Sequence, residues 1–123
     1  MANILVIDDE EWIREELVEV LEMRDHTVTE ASDGVEGLER FVDGSFDLVV
    51  TDIIMPNKGG IETIAELRNL APNVKIVAMS GGGRVESRDF LAVAERFGTL
   101  ATMAKPFALD EFIAVVEGAL SRR

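Results

Sequence analysis

Five polar side chains that can handle a phosphoryl group each follow a short apolar run of the sequence. Asp8 and Asp9 end one run, Asp52 a second, Ser80 a third and Lys105 a fourth. Carboxylates at close range repel one another unless a cation lies between them. An ammonium group and a hydroxyl beside such a cation can stabilise a transferred phosphoryl group. The set therefore predicts a phosphoryl-transfer site with a carboxylate as its nucleophile.

The cation that suits these residues best is Mg²⁺. It takes oxygen ligands and commonly binds through one or two carboxylates together with a phosphate. Four consecutive acids at residues 8–11 would repel one another without a nearby cation, so this run predicts a metal site. Other acids, such as Glu15 and Glu19, are typical of an exposed helix face.

Each of these residues also has an ordinary structural explanation when taken alone. An Asp after a strand usually belongs to a turn or a helix N-cap, as we predict for Asp33, and a Ser such as Ser80 often caps a helix. The occurrence of the whole set, in order along the chain, favours the functional interpretation.

The segments that must position these side chains alternate between strand and helix patterns. Apolar runs predict buried strands, and an alternating segment predicts an edge strand. The buried strands fall at residues 4–7, 48–50, 76–79 and 100–104, and the edge strand at 27–31. Helical periodicity in the remaining segments predicts five helices.

This alternation predicts an α/β fold, a single-domain, doubly wound, five-stranded parallel sheet with helices on both faces. The flavodoxin-like order 2-1-3-4-5 is favoured because five strands are too few for a dinucleotide-binding fold. No G-x-G-x-x-G motif follows the first strand either. Ligands bind at the carboxyl ends of such strands, which is where the polar residues occur.

Composition narrows the class of protein further. We expect residues 1–123 to form one domain, since a hydrophobic content of 47% is enough for a core. The absence of cysteine excludes disulfides and thiolate metal sites. A net charge of −12 argues against direct nucleic-acid binding. No basic leader or membrane-length apolar segment is present, so we expect a cytoplasmic protein without membrane association.

Several motifs together resemble the receiver domains of two-component response regulators, and the resemblance covers essentially the whole chain. The motifs are ILVIDDE at residues 4–10, ASDGVEGL at 31–38, DLVVTDIIMP at 47–56, Ser80-Gly81 and Lys105-Pro106-Phe107. The resemblance implies a phosphorylation switch that assists its own phosphorylation and dephosphorylation, rather than an enzyme acting on a diffusible substrate.

The resemblance also implies roles for individual acids. Asp52 would be the phosphoacceptor and would take the phosphoryl group from a sensor histidine kinase or a phosphotransfer protein. Asp9 and Asp52 would ligate Mg²⁺ directly, the backbone carbonyl of Ile54 would be a third ligand, and Asp8 would act through water.

On the phosphoryl side, the expected contacts come from Lys105, Ser80 and the amide of Gly81. The family resemblance implies a cis peptide bond between Lys105 and Pro106, and a movement of Ser80 toward the phosphoryl group. Receivers usually carry an aromatic residue or histidine at the position of Thr102, where a large ring moves during switching. Thr102 cannot act in that way, so it either couples differently to Ser80 or simply packs.

Output would be binding of an output protein or output domain through the face formed by the fourth helix, the fifth strand and the fifth helix. A phosphorylation-dependent homodimer is left open. One alternative is a Mg²⁺-dependent phosphatase of the haloacid dehalogenase type, which usually places its nucleophile after strand one. Another is a docking receiver that no longer uses phosphate. The single histidine, His26, is predicted to lie at the surface and not to carry phosphate.

Overall fold

Five parallel strands form one sheet in the computed structural model, which describes residues 2–53, 59–80, 92 and 94–122. The strands are β1 (Asn3–Ile7), β2 (Thr27–Ala31), β3 (Leu48–Asp52), β4 (Ile76–Ser80) and β5 (Ala101–Ala104). Their order is β2-β1-β3-β4-β5, with every neighbouring pair parallel. This confirms the predicted flavodoxin-like order and places the alternating segment, β2, at an edge.

Helices cover both faces of the sheet. They are α1 (Glu11–Glu22), α2 (Gly34–Asp43), α3 (Gly60–Leu70), α4, described at residues 92 and 94–96, and α5 (Leu109–Ser121). Side chains of α1 and α5 pack in one apolar core, and those of α2, α3 and α4 pack in the other. This is the predicted doubly wound arrangement.

Among the described residues, no helix has both the length and the apolar character needed to cross a membrane.

The central strands are buried because both of their faces are covered. In β1, Ile4 and Val6 enter the core under α1 and α5, whereas Leu5 and Ile7 enter the opposite core. All four side chains are fully buried, which explains the continuous apolar run in the sequence. Polar residues can therefore follow such a strand only at its end, where the chain leaves the sheet.

Asp33 is the N-cap of α2, as predicted. Its Oδ1 accepts a hydrogen bond from the Glu36 amide at 2.9 Å, and the Glu36 carboxylate in turn accepts from the Ser32 amide at 2.6 Å. These reciprocal bonds satisfy backbone donors at the start of the helix. The ASDGVEGL motif at residues 31–38 thus has a structural role in this fold.

The predicted surface position of His26 is wrong, because only 8% of this residue is exposed. The preceding residue, Asp25, has a φ of 67°, a left-handed conformation in the turn that joins α1 to β2. The Nδ1 of His26 accepts a hydrogen bond from the Ala2 amide at 3.1 Å, so Nε2 carries the proton in the neutral ring.

Burial lowers the pKa of His26, and the positive charges of the amino terminus and Arg24 act in the same direction. The carboxylates of Glu117 and Asp25 oppose this shift.

The buried histidine predicts a pH-dependent loss of stability. Because the pKa of His26 is lower in the folded state than the ordinary value of 6.5, the unfolded chain binds the proton first as the pH falls. The stability contributed by neutral His26 is therefore present above that ordinary value and is lost below it. Urea unfolding at about pH 7.5 and about pH 5.5 should show a larger loss for the wild type than for His26→Asn, whose oxygen can replace the Nδ1 acceptor. Equal losses would contradict this explanation.

Candidate functional site

A buried lysine and three carboxylates meet at the carboxyl edge of the sheet. The Lys105 Nζ lies 2.7 Å from Asp8 Oδ2, 3.0 Å from Asp52 Oδ2 and 3.3 Å from Glu10 Oε1. The side chains of Lys105, Asp8 and Asp52 are 8%, 0% and 4% exposed, whereas that of Glu10 is 45% exposed. An ammonium group has three protons to donate, so each carboxylate can receive one.

The strand order explains how residues distant in sequence reach this cluster. Asp8 follows β1 and Asp52 ends β3, and these two strands are neighbours. Lys105 follows β5, which is separated from β3 by β4, so its long side chain must extend past β4 to reach Asp52. The backbone amide of Lys105 donates to the Ser80 carbonyl at 2.7 Å, which fixes the end of β5 against the end of β4. The peptide bond between Lys105 and Pro106 is cis, the isomer that the family resemblance implied.

Both oxygens of the Asp8 carboxylate have a donor. Oδ1 accepts from the Glu10 amide at 2.9 Å and Oδ2 accepts from Lys105. Arg14 holds the same segment, since its Nη1 donates to the Asp8 carbonyl at 2.8 Å while its Nε pairs with Glu30 at 3.0 Å. The orientation of Asp8 is therefore fixed by hydrogen bonds from three directions.

The backbone around Asp52 is held by tight packing. The Thr51 hydroxyl donates to the Asp52 carbonyl at 2.9 Å, and the Gly60 amide donates to the Ile53 carbonyl at 2.7 Å. A Cβ atom at Gly60 would overlap the backbone of Asp52 and Ile53, so only glycine allows α3 to begin this close to β3. This close approach fixes the position at which the Asp52 carboxylate leaves the strand.

The electrostatics of the cluster favour a charged lysine. Burial alone would lower the pKa of Lys105, but the hydrogen bond to Asp8 and the negative charges of Asp52 and Asp8 outweigh it and raise the pKa above its usual range. The pKa of Asp9 is also raised, by partial burial and by the neighbouring charges of Asp8 and Glu10. The cluster thus contains more negative charge than Lys105 alone can balance.

Three of these carboxylates are close enough together to bind one metal ion. One oxygen each from Asp8, Glu10 and Asp52 lies within 4.8 Å of the others. Carboxylate oxygens are suitable ligands for Mg²⁺. Asp9, which was expected to be a direct ligand, is exposed and lies outside this group, whereas Asp8, expected to act through water, lies inside it.

The remaining predicted site residues fall in different places. Ser80 is fully buried, and its Oγ has no hydrogen-bond partner among the residues that the structure describes. Thr102 lies half-buried in β5 opposite Ala78, three positions before Lys105. The expected contacts of Ile54 and Gly81 lie outside the described residues.

Three residues with a role in this site were not identified from the sequence. Glu10 contacts Lys105, Arg14 holds the backbone of Asp8, and Gly60 allows the close approach of α3. Glu10 belongs to the acidic run that predicted the metal site, so a signal for it was present. Arg14 and Gly60 are common residue types whose contacts depend on the folded backbone.

Known proteins with similar sequences and structures agree on one family. The family profile described as "Response regulator receiver domain" matches residues 4–117. The transcriptional regulator NtrC of Azospirillum brasilense is 33% identical over 98% of this chain, and the response regulator MprA of Mycobacterium ulcerans is 34% identical over 98%. The chain spans only 24% and 51% of the lengths of these two relatives.

Among solved structures, the chain is similar to a response regulator receiver domain protein from Clostridium thermocellum. The two are 30% identical with a TM-score of 0.90, and the match covers 99% of this chain and 96% of the other. With the sequence match over residues 4–117, this similarity shows that the chain belongs to the family of response regulator receiver domains.

Proposed function

We propose that Asp52 is the phosphoacceptor of this receiver domain. The observation that carries the proposal is the position of its carboxylate, which ends β3 and lies 3.0 Å from the buried ammonium of Lys105. Receiver domains are phosphoacceptor switches, and the family match favours neither a phosphatase nor a phosphate-independent docking role. The phosphoryl donor would be a phosphohistidine of a sensor histidine kinase or a phosphotransfer protein.

The residues of the cluster suit in-line phosphoryl transfer. An Asp52 oxygen would attack phosphorus as the phosphorus–nitrogen bond to the donor imidazole breaks, and the nitrogen would keep the electron pair and take a proton from water. Lys105 would then place its positive charge against the phosphoryl oxygens. The Ser80 hydroxyl is buried and has no hydrogen-bond partner within the described part of the chain, which supports a role in accommodating the same group.

Mg²⁺ is the cofactor that we propose for this site. Its ligands would be the carboxylates of Asp9 and Asp52 and the backbone carbonyl of Ile54, with Asp8 acting through water. The geometry supports a water-mediated role for Asp8, because both of its oxygens already accept hydrogen bonds. When bound, Mg²⁺ would neutralise charge between the carboxylates and the incoming phosphoryl oxygens.

Phosphorylation would change how the face of α4, β5 and α5 binds an output protein or an output domain. One relative is named a sensor kinase and another a DNA-binding transcriptional regulator, which supports a kinase as phosphoryl donor and an output domain as partner. The chain itself, with a net charge of −12, would not contact nucleic acid directly. Because kinases of this class act on receivers in the cytoplasm, we place the chain there.

Incorporation of one phosphoryl group at Asp52 is the first expected result. Intact-mass spectrometry after incubation with Mg²⁺ and acetyl phosphate should show one adduct on the wild type and none on Asp52→Asn or without metal. Asp43→Asn is a matched control because Asp43 is an exposed aspartate at the end of α2, and it should be modified like the wild type. An adduct of equal yield on Asp52→Asn would place the phosphoacceptor elsewhere.

Removal of the lysine should have opposite effects on metal binding and on phosphoryl transfer. In Lys105→Met, the carboxylates lose a competing positive charge, so Mg²⁺ should bind more tightly by about tenfold, since one unit charge at this range contributes about 1–4 kcal/mol. Phosphorylation should be slower because the phosphoryl oxygens lose the ammonium. Calorimetric titration would measure the affinity, with Trp12 emission as a second signal because Trp12 lines the same surface cavity as Glu10 and Lys105. Arg96→Met is the control for loss of a positive charge, because Arg96 is exposed. Weaker Mg²⁺ binding in Lys105→Met than in the wild type would contradict a competition between Lys105 and Mg²⁺ for the carboxylates.

A further inference from the structure

The partners of Lys105 are not equivalent. Asp8 and Asp52 are buried and belong to the proposed phosphorylation site, whereas the Glu10 side chain is nearly half exposed. Glu10 is also the N-cap residue of α1, yet its side chain makes no capping hydrogen bond. It is instead paired with Lys105 across the entrance of the cluster. The position of Glu10 is thus used for a contact with Lys105 rather than for the helix.

Lys105 must change partners if the proposed function is correct. In the structure, its ammonium donates hydrogen bonds to carboxylate oxygens of both Asp8 and Asp52. For Asp52 to receive a cation and a phosphoryl group, Lys105 has to release the Asp52 oxygen and face the phosphoryl group. A mostly buried ammonium that loses its partners without replacement is strongly disfavoured.

Glu10 is suited to keep Lys105 charged and in place during this exchange. Its backbone is fixed by the hydrogen bond from its amide to Asp8, while its partly exposed side chain can adjust. We infer that Glu10 is a positioning residue for Lys105, holding the ammonium beside the site once Asp52 is engaged. This inference rests on the proposed function, and it adds a residue that the expected ligands Asp9, Asp52 and Ile54 do not include.

The inference makes a specific claim about Mg²⁺ affinity. Among the described residues, Glu10 is the anionic partner of Lys105 outside the proposed metal site, so without its carboxylate Lys105 holds Asp8 and Asp52 more strongly. Glu10→Gln should therefore weaken Mg²⁺ binding by about fivefold, as expected for the loss of one partly buried ion pair. Glu11→Gln is the matched control, since Glu11 is an adjacent, exposed acid and its substitution gives the same change in net charge.

A double-mutant cycle with Lys105 separates this role from direct metal ligation, which is the main competing explanation because Glu10 lies within 4.8 Å of the other carboxylates. Mg²⁺ dissociation constants would be measured by calorimetry for the wild type, Glu10→Gln, Lys105→Met and the double variant. If Glu10 acts through Lys105, the extra loss seen with Glu10→Gln should disappear in the Lys105→Met background. Circular dichroism would verify folding, and Lys105→Gln would replace Lys105→Met if the latter does not fold.

The outcomes of this experiment are distinct. The inference is supported if Glu10→Gln loses more Mg²⁺ affinity than the Glu11→Gln control and if this extra loss disappears when Lys105 is replaced. If Glu10→Gln loses the same Mg²⁺ affinity with and without Lys105, Glu10 is a direct ligand and the inference is overturned. The inference is also overturned if Glu10→Gln binds Mg²⁺ as tightly as the Glu11→Gln control. In both of these cases the wild type still binds Mg²⁺, so the proposed function stands. A wild type that binds no Mg²⁺ at millimolar concentration overturns the metal site and the inference together.

Discussion

The arrangement of this site depends on one buried ammonium group shared among carboxylates from different parts of the chain. Asp8 and Asp52 end neighbouring central strands, and neither could remain ionised and buried without a positive charge close by. Lys105 supplies that charge from the far side of β4. The sheet order is therefore a requirement of the electrostatics, since it brings the carboxyl ends of β1 and β3 within reach of the lysine that follows β5.

The same charge balance explains why the site is suited to a divalent cation. Lys105 carries one positive charge, whereas the three carboxylates that contact it carry one negative charge each. The excess of negative charge is increased further by Asp9, whose pKa is raised by partial burial and, to a smaller extent, by its acidic neighbours. A rigid backbone holds these groups together, because Arg14 and Gly60 fix the segments that carry Asp8 and Asp52. The repulsion cannot be relieved simply by moving these segments apart.

Much of this architecture could be predicted from the sequence because strands covered on both faces leave continuous apolar runs, and the first polar residue after each run falls at the ligand-binding edge. Details that depend on local backbone geometry could not be predicted from the sequence. The backbone at the start of α1 decides which of the four consecutive acids reach Lys105: it brings Glu10 to the ammonium and leaves Asp9 outside the cluster. The burial of His26 likewise depends on one left-handed residue, Asp25, that has no distinctive pattern in the sequence.

The ends of β4 and β5 are joined directly beside this site. Ser80 ends β4 with a buried hydroxyl, and its carbonyl accepts a hydrogen bond from the amide of Lys105. A movement of Ser80 toward a phosphoryl group would therefore act on the residue that follows β5. Thr102 lies in that same strand but has no large ring to turn. If phosphorylation changes the face of α4, β5 and α5, Thr102 would contribute through displacement of the strand ends rather than through rotation of a ring.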